Sequence, residues 1–210
     1  MALTSISLAT LRNDLRARLP EKNRSEILDS ELDRFLNLGQ YDVAMKLSGI
    51  NSIWYGTKAT VTISSGTIDI SSLSIMRIIK LVDADNGLVP FYDEKYFTEL
   101  GGICDYDETR AVSHFGTELD VFAGSSAPTV GVLTLYYFRN PIAMTSSLAM
   151  DVPIEFQDMV VSFAEKKALQ RLGMPTDGKE QEIMIKWNDL QKAFGNELTS
   201  ERAEERGNDQ

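Results

Sequence analysis

The chain has 210 residues, 43% hydrophobic and 25% charged, which is enough for a sizeable core and ordinary for a globular protein. With 21 Lys and Arg against 31 Asp and Glu the net charge is −10, which excludes tight non-specific gripping of nucleic acid and docking on anionic lipid, since both need clustered cations. The single cysteine, Cys104, excludes an intrachain disulfide and fits a reducing cytoplasm or an assembly that needs no oxidation.

The first twenty residues, MALTSISLATLRNDLRARLP, hold no long apolar run, and charge enters by Arg12. They read as neither a signal peptide nor an anchor, and no segment of about 18 apolar residues occurs anywhere. Leu8, Leu11, Leu15 and Leu19 make one apolar stripe on a short helix that Pro20 ends. Arg12, Asn13, Asp14, Arg16 and Arg18 lie on its other face. After a polar loop from Glu21 to Leu28, Ser30 is the expected N-cap of a second helix. Glu31 and Asp33 suit the positive end of its dipole. Its buried side is Leu32, Phe35, Leu36, Val43 and Leu47. Gly39 interrupts it at modest cost, and Gly49 follows its end.

From about Trp54 the period changes to two. Ala59, Val61 and Ile63 alternate with Lys58, Thr60 and Thr62, as in a half-buried strand. Ser65-Gly66 is a turn, and Thr67 to Ile70 resumes the alternation. Arg77 to Val82 is a further strand, Asp85-Asn86-Gly87 a hairpin turn, and Leu88 to Phe91 the return strand. Asp93 to Leu100 reads as a short helix ended by Gly101-Gly102. Ala111 to Phe115 and Glu118 to Phe122 flank Gly116-Thr117 as a second hairpin. Val130 to Phe138 is the last and most apolar strand.

Asp151 and Pro153 start a third helix, whose Met159, Val160, Val161, Phe163 and Ala164 mark it as the most buried one. Gly173 and Pro175 close it. Thr176 or Asp177 caps a fourth, with Ile183, Trp187, Leu190 and Phe194 on one face and Gly195 at its end. The remaining ELTSERAEERGNDQ has one large apolar residue and is expected to be disordered in isolation. The expected fold class is α+β. Residues 1–50 and 150–198 form a helical bundle from the two terminal helix pairs, residues 51–149 a small antiparallel β-insertion, and residues 199–210 a flexible arm.

Residues suited to chemistry are few. His114 is the only histidine, so a Ser-His-Asp triad or a Cys104–His114 dyad would have to use it, and no nucleophile motif surrounds either residue. One His and one Cys do not furnish the usual zinc ligand sets. Asp105, Asp107 and Glu108 alternate as cation ligands do, but lack the glycine and distal glutamate of a calcium loop, so they read as a solvated loop. No glycine run matches a phosphate cradle, and Gly101-Gly102 and Gly124 to Ser126 read as loop punctuation. Arg12, Arg16 and Arg18 form the only basic helix face, read as solvated rather than as a contact to nucleic acid. No catalytic, metal or cofactor residue is assigned.

The wording of the two ends carries a resemblance. LATLRNDLRARLPEKNRSEILDSELDRFLNLGQYDVAMKL resembles the two N-terminal helices of tailed-phage head-to-tail adaptor (connector, or head-completion) proteins, with Asp29, Ser30, Glu31, Leu32, Arg34, Leu36, Asn37 and Asp42 at the matching places. The later stretch from Leu133 to Gly173 is similar to the family's second signature. In it a Tyr-rich strand ends in a Pro-containing loop before a Val- and Ala-rich helix, here Tyr136, Tyr137, Pro141, Pro153, Phe156, Ala164, Ala168, Leu169 and Gly173. Gly39 departs from the pattern and points to a kink.

The resemblance implies a non-enzymatic structural protein of the virion neck, made in the host cytoplasm. It implies a homo-oligomeric ring of about twelve copies between the portal and the tail. Its partners would be itself, the portal protein and nozzle or other tail proteins, with DNA passing through the channel unbound during packaging and ejection. Carboxylates facing that channel would repel DNA and keep it mobile. Glu201, Arg202, Glu204, Glu205 and Arg206 are the candidate portal-docking arm. The alternatives are another nozzle or tail-completion subunit, a virion glycan hydrolase using acidic residues, and a cytoplasmic regulatory binding module.

Overall fold

Local signals set the helices. In the computed structural model, which describes residues 6–49, 56–83, 87–89, 91–92, 111–122 and 130–207, helix α1 spans Leu8–Arg18. Ser7 Oγ accepts from Thr10 N at 3.2 Å and caps it. Leu8, Leu11, Leu15 and Leu19 are all buried, as their spacing predicts. Arg24 closes the far end, donating to the carbonyls of Leu19 and Ala17 at 3.0 and 2.8 Å.

Helix α2 runs Asp29–Gly49. It starts one residue before the expected Ser30 cap. Leu28 holds the cap position, and its N–H donates to the Glu31 carboxylate at 3.1 Å, one half of a capping box. The helix is unbroken through Gly39, so the glycine has another reason. A Cβ there would stand 2.4 Å from the Val160 carbonyl oxygen and 3.2 Å from Ala164 N. Gly39 lets α2 touch the backbone of α3, which spans Gln157–Arg171 after a 3-10 turn at Ile154–Phe156.

Helix α3 is the buried one, with Met159, Val160, Val161, Ala164 and Ala168 inside; α1 and the last helix both pack on it. Its end is a Schellman motif: Gly173 takes φ +67°, Met174 N donates to Leu169 O and Gly173 N to Gln170 O. Helix α4 spans Asp177–Gly207. Thr176 caps it, its carbonyl accepting from Glu180 N. The expected stop at Gly195 is overturned. One glycine costs about 1 kcal/mol in a helix, and the Glu, Leu, Arg and Ala residues that follow are good helix formers.

The return segment after Asn140 is clamped to α2 by two amides. Asn37 donates to and accepts from the backbone of Met144. Buried Gln40 donates to Ile142 O at 2.9 Å and accepts from Asp151 N at 2.7 Å. Gln40→Leu keeps the volume but removes both hydrogen bonds. It is expected to cost about 1–2 kcal/mol, read as a lower urea midpoint.

The strands are β1 Gly56–Ser64, β2 Thr67–Asp69, β3 Ile75–Asp83, β4 Leu88–Val89, β5 Phe91–Tyr92, β6 Ala111–Phe115, β7 Glu118–Phe122 and β8 Val130–Arg139. They form one sheet in the order β4-β3-β8-β1-β2-β7-β6-β5. The turns at Ser65-Gly66 and Gly116-Thr117 have the positive φ angles their residues suggest, at Ser65, Gly66 and Gly116. Two expectations change. The stretch Leu88 to Phe91 is not one strand, because Pro90 has no N–H to give a ladder; its halves lie at opposite edges of the sheet. The sheet is also not wholly antiparallel, since β5 pairs parallel with β6.

That edge arrangement dictates curvature. Eight flat strands would span about 34 Å, yet Val89 and Phe91 are two positions apart in the sequence and therefore within about 7 Å. The sheet must curl until its edges nearly meet. Its inner face is Val61, Ile63, Ile68, Leu81, Leu119, Val121, Leu133 and Leu135. The protein is thus mixed helix and sheet. Its contacts divide it into two compact units, Met1–Ala44 with Pro141–Gln210, and Met45–Asn140. The expected turn at Asp85-Asn86, the helix Asp93 to Leu100 and the loop Gly124 to Ser126 lie outside the described residues.

Candidate functional site

In the helical unit, among the described residues, many charged groups tie one element to another. Arg12 grips Asp33 with Nε–Oδ1 at 2.6 Å and Nη2–Oδ2 at 2.7 Å, and reaches Asp29 at 3.1 Å. Arg16 donates to the carbonyls of Arg24 and Ile27 and to Asp29. Arg18 joins Asp14 of its own helix to Asp158 of α3. The basic face expected to be solvated is therefore a set of clamps between helices. The Arg12 guanidinium is held above its ordinary range by the hydrogen bond to Asp33.

A second chain of ion pairs runs from α3 to α4. Lys186 Nζ contacts Asp158 at 2.6 Å and Glu182 at 2.7 Å. Lys179 Nζ contacts Glu182 at 2.6 Å and the buried Glu165 at 2.9 Å. Burial alone would raise the Asp158 carboxyl; hydrogen bonds from Lys186 and Arg18 outweigh it and hold the group low. Burial likewise pulls the Lys179 ammonium down, and Glu182 and Glu165 more than reverse the pull.

The outer surface of the β unit differs. Strand β8 lies between β1 and β3, and its Tyr136 is opposite Lys58 on one side and Lys80 on the other. Both lysines are exposed. Lys80 Nζ sits 4.8 Å from the Tyr136 ring centre, a cation–π contact. Neither lysine has a carboxylate partner among the described residues. On strands β2 and β7 the pairing sets Asp69 directly opposite Glu118, both exposed, with Asp120 two residues further along. Hydrogen bonds from Ser71 hold the Asp69 carboxyl below its usual range. An open groove beside Asp69 is lined by Thr60, Thr62, Ser64, Ser65 and Thr67.

The residues singled out by the sequence do not converge. His114 lies on the backbone of β6 opposite Leu119, while Cys104, Asp105, Asp107 and Glu108 lie outside the described residues. Among the described residues no group of three His, Cys, Asp or Glu is placed to hold a metal ion, and no helix is long and apolar enough to cross a membrane. Glu201, Arg202, Glu204, Glu205 and Arg206 all fall on helical backbone at the end of α4. The charged rows of the β unit escaped the sequence reading. Alternation puts Lys58 outward, but only the strand register puts it beside Tyr136 and Lys80.

The family model described as SU10 adaptor protein matches residues 6–208. No curated protein matches the chain.

Proposed function

Because this chain belongs to the SU10 adaptor protein family, the head-to-tail adaptors of phages, we propose that it forms a ring between the portal and the tail and lines the DNA channel. The observation that carries this reading is the single match across residues 6–208, which takes in both units and nearly all of α4. In this reading the helices from both chain ends make one bundle that carries the ring, and the β-insertion meets neighbouring copies or tail proteins. The protein acts by binding and needs no catalytic group.

The surface chemistry is compatible with that role. Net charge −10 disfavours adhesion to passing DNA. Leu38 and Tyr41 are exposed on α2, and Ile142 is exposed on the segment clamped beside it. Met184 and Ile185 are exposed on α4. Apolar groups of this kind serve contacts to other chains. The end of α4, carrying Glu201, Arg202, Glu204, Glu205 and Arg206, is the arm that docks on the portal.

Mixing purified portal rings with the full chain and imaging the product by electron microscopy tests the reading. A second ring stacked on the portal is expected; portal rings that stay bare overturn it. Deleting residues 200–210 is expected to weaken portal binding by about tenfold or more, with the thermal transition unmoved. Unchanged affinity would remove the arm from the docking surface.

A further inference from the structure

A closed ring of identical copies needs two different surfaces on each copy, one fitting the other, because every copy meets its neighbours head to tail. Copies that each carry −10 repel as they approach, and a contact that brings cations against carboxylates offsets that repulsion. In the helical unit Arg12, Arg16, Arg18, Lys179 and Lys186 already face carboxylates of their own chain. Lys166 pairs with Glu180, Lys167 with Asp42 and Arg171 with Glu31.

The β unit is arranged the other way. Lys58 and Lys80 stand on the outer face of β1 and β3 on either side of Tyr136, whose ring steadies Lys80, and neither has a carboxylate partner among the described residues. Asp69 and Glu118 stand opposite each other on β2 and β7 with no cation partner among the described residues, and Asp120 extends the row. Directly opposed like charges on neighbouring strands destabilise a sheet. The isolated chain bears that cost, and an incoming ammonium pair would remove it. The two rows are separated along one curled sheet, as the unlike halves of a head-to-tail contact must be.

We propose that the Lys58–Tyr136–Lys80 row of one copy docks on the Asp69–Glu118–Asp120 row of the next copy. The inference rests on the ring reading above and assigns it an interface. A second copy is the fitting occupant because both halves of the charge pattern are present on the same chain. A nucleic acid would be met by the lysine row alone and repelled by the rest.

Charge reversal tests it on the full chain, by sedimentation velocity and imaging, with and without portal rings. Lys58→Glu with Lys80→Glu is expected to weaken association between copies by about a hundredfold. Asp69→Lys with Glu118→Lys is expected to do the same. Mixing the two variants, or combining all four changes in one chain, is expected to restore association. Association of the natural chain should weaken as salt is raised. If the reversed variants assemble as well as the natural chain, the interface is wrong and the ring reading stands. If the natural chain assembles in neither condition, both fall. Should a reversed variant lose its β-sheet circular dichroism, Lys58→Gln with Lys80→Gln replaces it, and undiminished association of that variant overturns the proposal.

Discussion

Replacing Gly39 with alanine is expected to destabilise the protein by about 1–3 kcal/mol, opposite in sign to the usual effect of removing a glycine from a helix. Alanine normally gains about 1 kcal/mol over glycine inside a helix, because less backbone entropy is lost. At Gly39 the added Cβ would stand 2.4 Å from the Val160 carbonyl oxygen. That oxygen belongs to the backbone of α3 and has no rotamer by which to retreat. Ala164 N at 3.2 Å and Phe163 Cβ at 3.4 Å close the remaining directions. The two helices must therefore part, and the contacts around Val160, Val161 and Ala164 loosen with them. Gly178 and Gly49 supply the comparison, since a Cβ at either meets nothing within 4 Å. Gly178→Ala is expected to be neutral or to gain up to about 1 kcal/mol. Urea unfolding followed by helical circular dichroism distinguishes the cases. Equal gains at positions 39 and 178 would show that α2 and α3 do not approach as closely as described.

The same glycine shows where the sequence stops being informative. Its cost as a helix residue is legible locally, but its benefit depends on Val160, far along the chain. Seen alone, it read as an interruption, yet the helix runs unbroken through it. Features written in a few neighbouring residues were legible: the leucine stripe of α1, the turns at Ser65-Gly66 and Gly116-Thr117, the Gly173 terminus, and the burial of α3. Alternation correctly gave which side of β1 faces inward. It gave no neighbours, so the strand order and the parallel β5–β6 pair were hidden. The arginine face was legible as charge but not as clamps, because Asp29, Asp33 and Asp158 lie on other helices. For the same reason Asp69 and Glu118, well apart in sequence, did not read as one row. The family was legible from wording at both ends of the chain, and the match over residues 6–208 supports it.

Lys179→Met is expected to cost about 2–3 kcal/mol, somewhat less than breaking a fully enclosed pair, because Lys179 keeps some contact with water. Glu165 is the reason. Its side chain is only 9% exposed on the buried face of α3, and the Lys179 ammonium 2.9 Å from its Oε2 is its ion-pair partner. Glu182 is less dependent, since Lys186 holds it as well. Methionine fills the volume of the lysine stem, so the loss is one of charge compensation rather than packing. The double variant Lys179→Met with Glu165→Leu is then expected to recover most of the loss, because an apolar pair of similar size carries no desolvation cost. A thermodynamic cycle from urea midpoints measures the coupling. A single-variant cost below about 0.5 kcal/mol would mean that the pair behaves as an exposed one. The position gives the pair a wider consequence. Lys179 lies in the first turn of α4, and Glu165 ties that turn to α3, the most buried helix. Everything beyond it, through Glu201 to Arg206, is carried on one continuous helix. A loosened first turn therefore displaces the whole length of α4, and under the proposed docking role of its far end the single variant should weaken binding to portal rings while the double variant restores it.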